Sequence, residues 1–119
     1  MLRGIRGAIT VAENSKKEIW KAAQSLITEI FNLNNIELEN VGAIIFTSTK
    51  DLTAAFPTAG LRQMNADFNS VPLFDAQETF VNNSLPMCLR VLILVDSDKK
   101  LSEIRHVYLG DAKKLRPDL

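Results

Sequence analysis

The sequence predicts a single α/β or α+β domain, and three observations lead there. Segments with strand period alternate along the chain with segments of helical period. The length of 119 residues suits one domain, and 46% apolar residues are enough to build its core. No repeat, low-complexity tract or interdomain linker divides residues 1–119.

Leu2 to Val11 reads as a strand, with Ile5, Ile9 and Val11 on one face and Gly4, Arg6, Ala8 and Thr10 on the other. Small neighbours leave room beside Arg6. Ser15-Lys16-Lys17-Glu18 has the spacing of a capping box, in which the Ser and Glu side chains satisfy backbone donors at a helix start. Ile19, Ala23, Leu26, Ile27, Ile30 and Phe31 follow at helical spacing, and the Asn-rich stretch from Asn32 to Asn35 ends the helix. Val41 to Ser48 reads as a buried strand. Thr53 to Asn65, punctuated by Pro57 and Gly60, suggests a loop and a short helix carrying Arg62. Val71 to Ala76 is a short strand leading into Gln77 and Glu78, and Asn82 to Pro86 is a turn. Met87 to Val95 is the most apolar strand, Ser97 to Lys100 a polar loop, and Arg105 to Leu109 the last strand. Pro117 is expected to extend the tail.

Composition excludes several classes of function. Fourteen basic residues balance fourteen acidic ones, so no positive field draws in nucleic acid or anionic membrane. One cysteine and one histidine allow no intrachain disulfide and argue against a metal centre. The apolar part of the first residues is too short and interrupted for a signal peptide. No segment approaches the roughly 20 apolar residues of a membrane span. The simplest expectation is a cytoplasmic protein.

Arg90 is the most informative residue. In period two it shares a face with Cys88, Leu92 and Leu94, inside a run where an unpaired guanidinium would cost several kcal/mol. Its partner is either a protein carboxylate or an anionic ligand. Arg6 and Arg90 suit a structural ion pair as well as a bound anion, and Glu78 could be the structural partner. Tyr108 suits a core residue with a satisfied hydroxyl, Arg62 a solvated helix position, Cys88 a small buried hydrophobe, and His106 a surface or core imidazole. No phosphate loop, paired-carboxylate motif or metal-ligand spacing is visible. What remains is several arginines, one carboxylate and one phenol, a set suited to a small polyanion and without an obvious nucleophile.

The segments GIRGAITV, TKDLTAAFP, VPLFDAQE, SLPMCLRVL and RHVYLGDAKKLRPDL together resemble the AroH-type monofunctional chorismate mutases, in the family's order and nearly end to end. The resemblance implies a mixed sheet packed with helices, assembled as a homotrimeric pseudo α/β-barrel with active sites between subunits. It implies rearrangement of the dicarboxylate chorismate to prephenate by a [3,3] shift, which needs no cofactor and no metal. Arg90 would meet the ether oxygen and a substrate carboxylate. Arg6 would clamp the side-chain carboxylate, with Tyr108 donating nearby, and Glu78 would orient the ring hydroxyl. Phe56 and Arg62 would come from the neighbouring subunit. Leu73, Phe74 and Leu115 match pocket-lining positions, and Arg116 matches the tail near the entrance.

Two positions depart from the family pattern. Asp75 stands where a cysteine is usual, and Thr58-Ala59-Gly60 lacks a lysine often found after Phe-Pro. A carboxylate beside a dianion is tolerable if Asp75 turns away, pairs with an arginine, or contributes its backbone. The same residues allow an alternative, a trimeric protein that binds a small carboxylate without converting it.

Overall fold

A computed structural model describes residues 1–118; Leu119, which ends the tail motif, lies outside them. Strands β1 (Leu2–Thr10), β2 (Val41–Ser48), β3 (Leu73–Gln77), β4 (Cys88–Asp96) and β5 (Val107–Leu109) form one mixed sheet in the order β3-β2-β4-β1-β5. β4 runs antiparallel to β1 and β2 at the centre, while the outer pairs β1–β5 and β2–β3 are parallel. The parallel pair β2–β3 is joined by a crossover that holds helix α2 (Pro57–Met64), while helix α1 (Lys16–Asn34) carries the chain from β1 past β4 to β2.

Both helices cover the same face of the sheet. Ser15 caps α1 by accepting the Glu18 amide at 3.2 Å, the first half of the expected capping box. The buried stripe of α1, including Ile19, Leu26, Ile27 and Ile30, packs with Ile5, Ile44, Phe46, Leu89 and Ile93 from the strands. Each such side chain contributes about 1.5–3 kcal/mol by leaving water. Asn35, in the left-handed region at φ 51°, closes the helix by donating to the Phe31 carbonyl. The helix therefore runs through most of the Asn-rich stretch and stops at its last residue.

Beyond one-residue shifts at strand ends, three segments differ from the sequence expectation, each for a local reason. β3 starts at Leu73, because Val71 closes a 3-10 turn over Ala66–Ser70 and Pro72 has no amide to donate. β5 starts at Val107, because the His106 ring, rather than its backbone, meets β1. The tail is turned, not extended: Gly110 at φ 60° redirects the chain into a 3-10 segment, Gly110–Leu115, and Pro117 and Asp118 form a further turn. These short turns carry too few residues to leave a period in the sequence.

α2 carries a glycine where helix propensity disfavours one. A Cβ on Gly60 would sit 3.0 Å from the Trp20 Cα, so the glycine permits the close crossing of α2 on α1. Trp20 and Gln24 of α1 then donate to the Phe56 and Gly60 carbonyls at 3.1 and 2.9 Å. Gly60→Ala should gain about 1 kcal/mol of helix propensity and lose about 1–3 kcal/mol to overpacking. A net fall in melting temperature is expected by calorimetry; a rise would show that the crossing does not depend on the glycine.

Candidate active site

The sheet face away from the helices holds the polar residues. Residues paired across neighbouring strands share a face, so Tyr108, Ala8, Arg90, Thr47 and Ala76 form one row across it. The adjoining row is Arg6, Leu92, Ile45 and Phe74. Arg6 is thus a diagonal neighbour of Arg90, and the small Ala8 separates Arg90 from Tyr108. The sequence alternation in β1 and β4 placed these side chains on one face each; pairing makes it the same face.

Arg90 has a protein partner for part of its charge. Its Nε lies 2.7 Å from Glu78 Oε1, with the arginine side chain 42% exposed and the glutamate 14%. The buried Nε has no aligned hydrogen-bond partner among the described residues, so the contact is an ion pair whose N–H does not point at the oxygen. Glu78 is held in turn by its amide, which donates to the Ser48 carbonyl at 2.9 Å, and by the Thr47 hydroxyl 3.4 Å from Oε1. Among the described residues, neither terminal nitrogen of Arg90 makes a hydrogen bond, and the Arg6 guanidinium has neither a hydrogen bond nor an ion pair. A pair this exposed contributes about 0–1 kcal/mol to folding. Its effect is to orient the arginine, leaving the fork open.

Further residues of the set lie toward β5 and the tail. Cys88, fully buried, packs with Ala8 and Ala112 beside Tyr108 and Leu115. Burial pushes its thiol up to about 11, partly offset by Arg90, so it stays protonated and serves as a small hydrophobe. Arg116 grips Asp118 through two hydrogen bonds of 2.9 and 3.1 Å, which hold its pKa above the usual value and lower that of Asp118. Arg116, Tyr108 and His106 line one groove of about 540 Å³ at the β5 edge.

The other expected residues lie apart from Arg90 within one chain. Phe56 precedes α2 and is 70% exposed; it lines a cavity of about 480 Å³ with Pro57, Lys50 and Asp75. Arg62 is exposed on the last turn of α2. Leu73 packs toward the core on the helix side, whereas Phe74 is 67% exposed on the open face. Asp75 also points to the helix side, where Thr58 donates to it from its amide at 3.2 Å and its hydroxyl at 2.5 Å. The Asp75 side chain thus turns away from the open face, which leaves only its backbone there.

Thr47 is a contributor the sequence reading passed over, though its alternation with the buried Phe46 marks it. Asp51 is another: it accepts from the Thr49 hydroxyl and the Met87 amide, while Thr49 accepts from Cys88. These bonds fix the start of β4, where Met87 takes a φ of 53°. The bonds from Met87 and Cys88 join residues 36 to 39 positions apart, and no local pattern announces them.

Comparison with known proteins agrees with the geometry. Residues 2–119 match the family model described as chorismate mutase type I. The chain is similar to the chorismate mutase AroH of Thermus thermophilus, at 46% identity over all of this chain and 97% of that one. It is 38% identical to the chorismate mutase AroH of Bacillus subtilis (strain 168), over all of this chain and 93% of that one. A solved chorismate mutase structure from Clostridium thermocellum superposes with a TM-score of 0.90 at 42% identity, covering 94% of this chain and 98% of that one. With its sheet order, its arginine-lined open face and its full-length matches in accord, this chain belongs to the type I chorismate mutases.

Proposed function

We propose that this chain rearranges chorismate to prephenate at the open sheet face, with Arg90 as the residue that stabilises the transition state. The observation that carries the reading is the Arg90–Glu78 contact, which fixes the guanidinium at Nε and leaves both terminal nitrogens without a hydrogen bond among the described residues. In a [3,3] shift one C–C bond forms as the C–O bond to the ether oxygen breaks, and no proton moves. The protein must hold a flexible dicarboxylate in a compact chair and meet the electron density growing on that oxygen. A permanent charge on a planar fork can reach the ether oxygen and a carboxylate together.

The remaining roles follow from position and from the family. Arg6, diagonal to Arg90, clamps the side-chain carboxylate, and Tyr108 donates beside it. Glu78 spends Oε1 on Arg90 and Thr47, so Oε2 accepts from the ring hydroxyl. Leu115 closes the apolar wall next to Tyr108, and Arg116 stands at the entrance. Phe56 and Arg62 reach the site from a neighbouring subunit of a homotrimer, with Leu73 and Phe74 lining the same junction and Asp75 contributing its backbone. Support for assembly comes from the sheet face itself, which leaves Phe74 67% and Leu92 37% exposed in the single chain. The reaction is a step toward phenylalanine and tyrosine, carried out in the cytoplasm, where the lone Cys88 stays reduced.

Replacing Arg90 by citrulline, its uncharged isostere, is expected to lower kcat by about 10² to 10³, the worth of roughly 2.7–4 kcal/mol of oxyanion stabilisation, with a smaller change in KM. Arg90→Lys should fare little better, because a point charge cannot span two oxygens. Steady-state kinetics on the folded variants decides this; turnover within a few-fold of the parent removes Arg90 from the mechanism.

Subunit sharing has its own test. Variants Arg90→Ala and Arg62→Ala, each weak alone, should regain activity when mixed and allowed to exchange subunits. Some junctions in the mixed trimers then pair an intact Arg90 with an intact Arg62. Activity in verified mixed trimers no higher than the average of the two parents contradicts a shared site.

A further inference from the structure

We propose that His106 is a positioning residue for Arg6, holding the arginine's backbone through its ring nitrogen at the point where β1 and β5 part. The inference rests on the reading that Arg6 clamps a substrate carboxylate. The Arg6 amide donates to His106 Nδ1 at 3.0 Å. β1–β5 pairing begins only at Gly7 opposite Val107, so beside Arg6 an imidazole stands where a strand would offer a carbonyl. Since this amide points toward β5, it makes no bond to β4, although Arg6 is paired with Leu92 there. Without the ring, the amide of a residue at the site would lose its protein acceptor, and the β1–β5 edge would fray next to Arg6.

This arrangement works only with the neutral imidazole. Nδ1 accepts, so the ring proton sits on Nε2. Facing His106 are Arg6 of β1 and Arg116 of the tail, and Glu29 of α1, Lys113 and Tyr108 line the same groove. Partial burial first, then the charges of Arg6 and Arg116, lower the imidazole pKa from its ordinary value near 6.5. The neutral ring is thus complete at neutral pH, and the bond is lost as pH falls through the depressed pKa. A protonated Nδ1 would present a donor to a donor and add positive charge beside Arg6. Activity should therefore be flat across neutral pH, where no proton moves in the reaction, and KM should rise on the acid side.

Two substitutions and a control test this in the full chain, with kcat and KM for chorismate followed from pH 5 to 8. His106→Leu removes the acceptor and should raise KM roughly three- to tenfold at neutral pH, the worth of one neutral hydrogen bond, with kcat changed less. His106→Asn keeps an oxygen near the Nδ1 position but cannot titrate; it should hold KM near the parent value and abolish the acid rise. Arg6→Ala is the control. If Arg6→Ala leaves KM unchanged, the reading of Arg6 as a clamp fails, and the inference with it. If Arg6→Ala raises KM sharply but His106→Asn keeps the parent's acid limb, His106 is not the positioning group. The second comparison holds even if the leucine variant fails to fold.

Discussion

An arginine embedded in a central strand has to answer for its charge, and the site is organised around how Arg90 does so. The pair itself adds only about 0–1 kcal/mol to folding, because the arginine side chain is 42% exposed. Stability alone therefore does not account for the pair. Glu78 takes the buried Nε end, Thr47 and the Ser48 carbonyl hold Glu78, and the outer end of the fork faces away from the core. Preorganised charge of this kind costs no reorganisation when an oxyanion develops.

The mixed sheet makes that placement possible. Helices cover one face and supply its apolar core, so the other face is free to carry Arg6, Arg90 and Tyr108 on adjacent central and edge strands. The same division disposes of Asp75. Its side chain lies on the helix face, bound by Thr58, so the unusual carboxylate in β3 need not oppose a bound dianion.

Elements with a clean period were legible in the sequence: α1 from its stripe and capping box, β1, β2 and β4 from alternation. Alternation also put Arg6 and Arg90 each opposite an apolar face. It could not say which strands adjoin, and so could not bring Arg90 to Ala8 and Tyr108; that follows from a register spanning most of the chain. Nor could it choose which face of β3 the helices would cover, which decides where Asp75 points. The shortened β5 and the turned tail leave no period, because a side chain and a 3-10 segment stand where extended backbone would otherwise continue. Glu78 and the implied pocket residues drew attention through resemblance to a family, since a single carboxylate after a short strand has no local signature of its own.

A face that performs a pericyclic rearrangement differs from one that merely binds chorismate in what becomes of the substrate. Purified protein mixed with chorismate in the presence of a metal chelator, followed by nuclear magnetic resonance, tests this most directly. Saturable, stoichiometric conversion to prephenate is expected, with no added cofactor and no exchange of solvent hydrogen into the product by the enzyme. Tight binding of chorismate with loss no faster than in buffer would contradict it, leaving a carboxylate-binding protein in place of an enzyme.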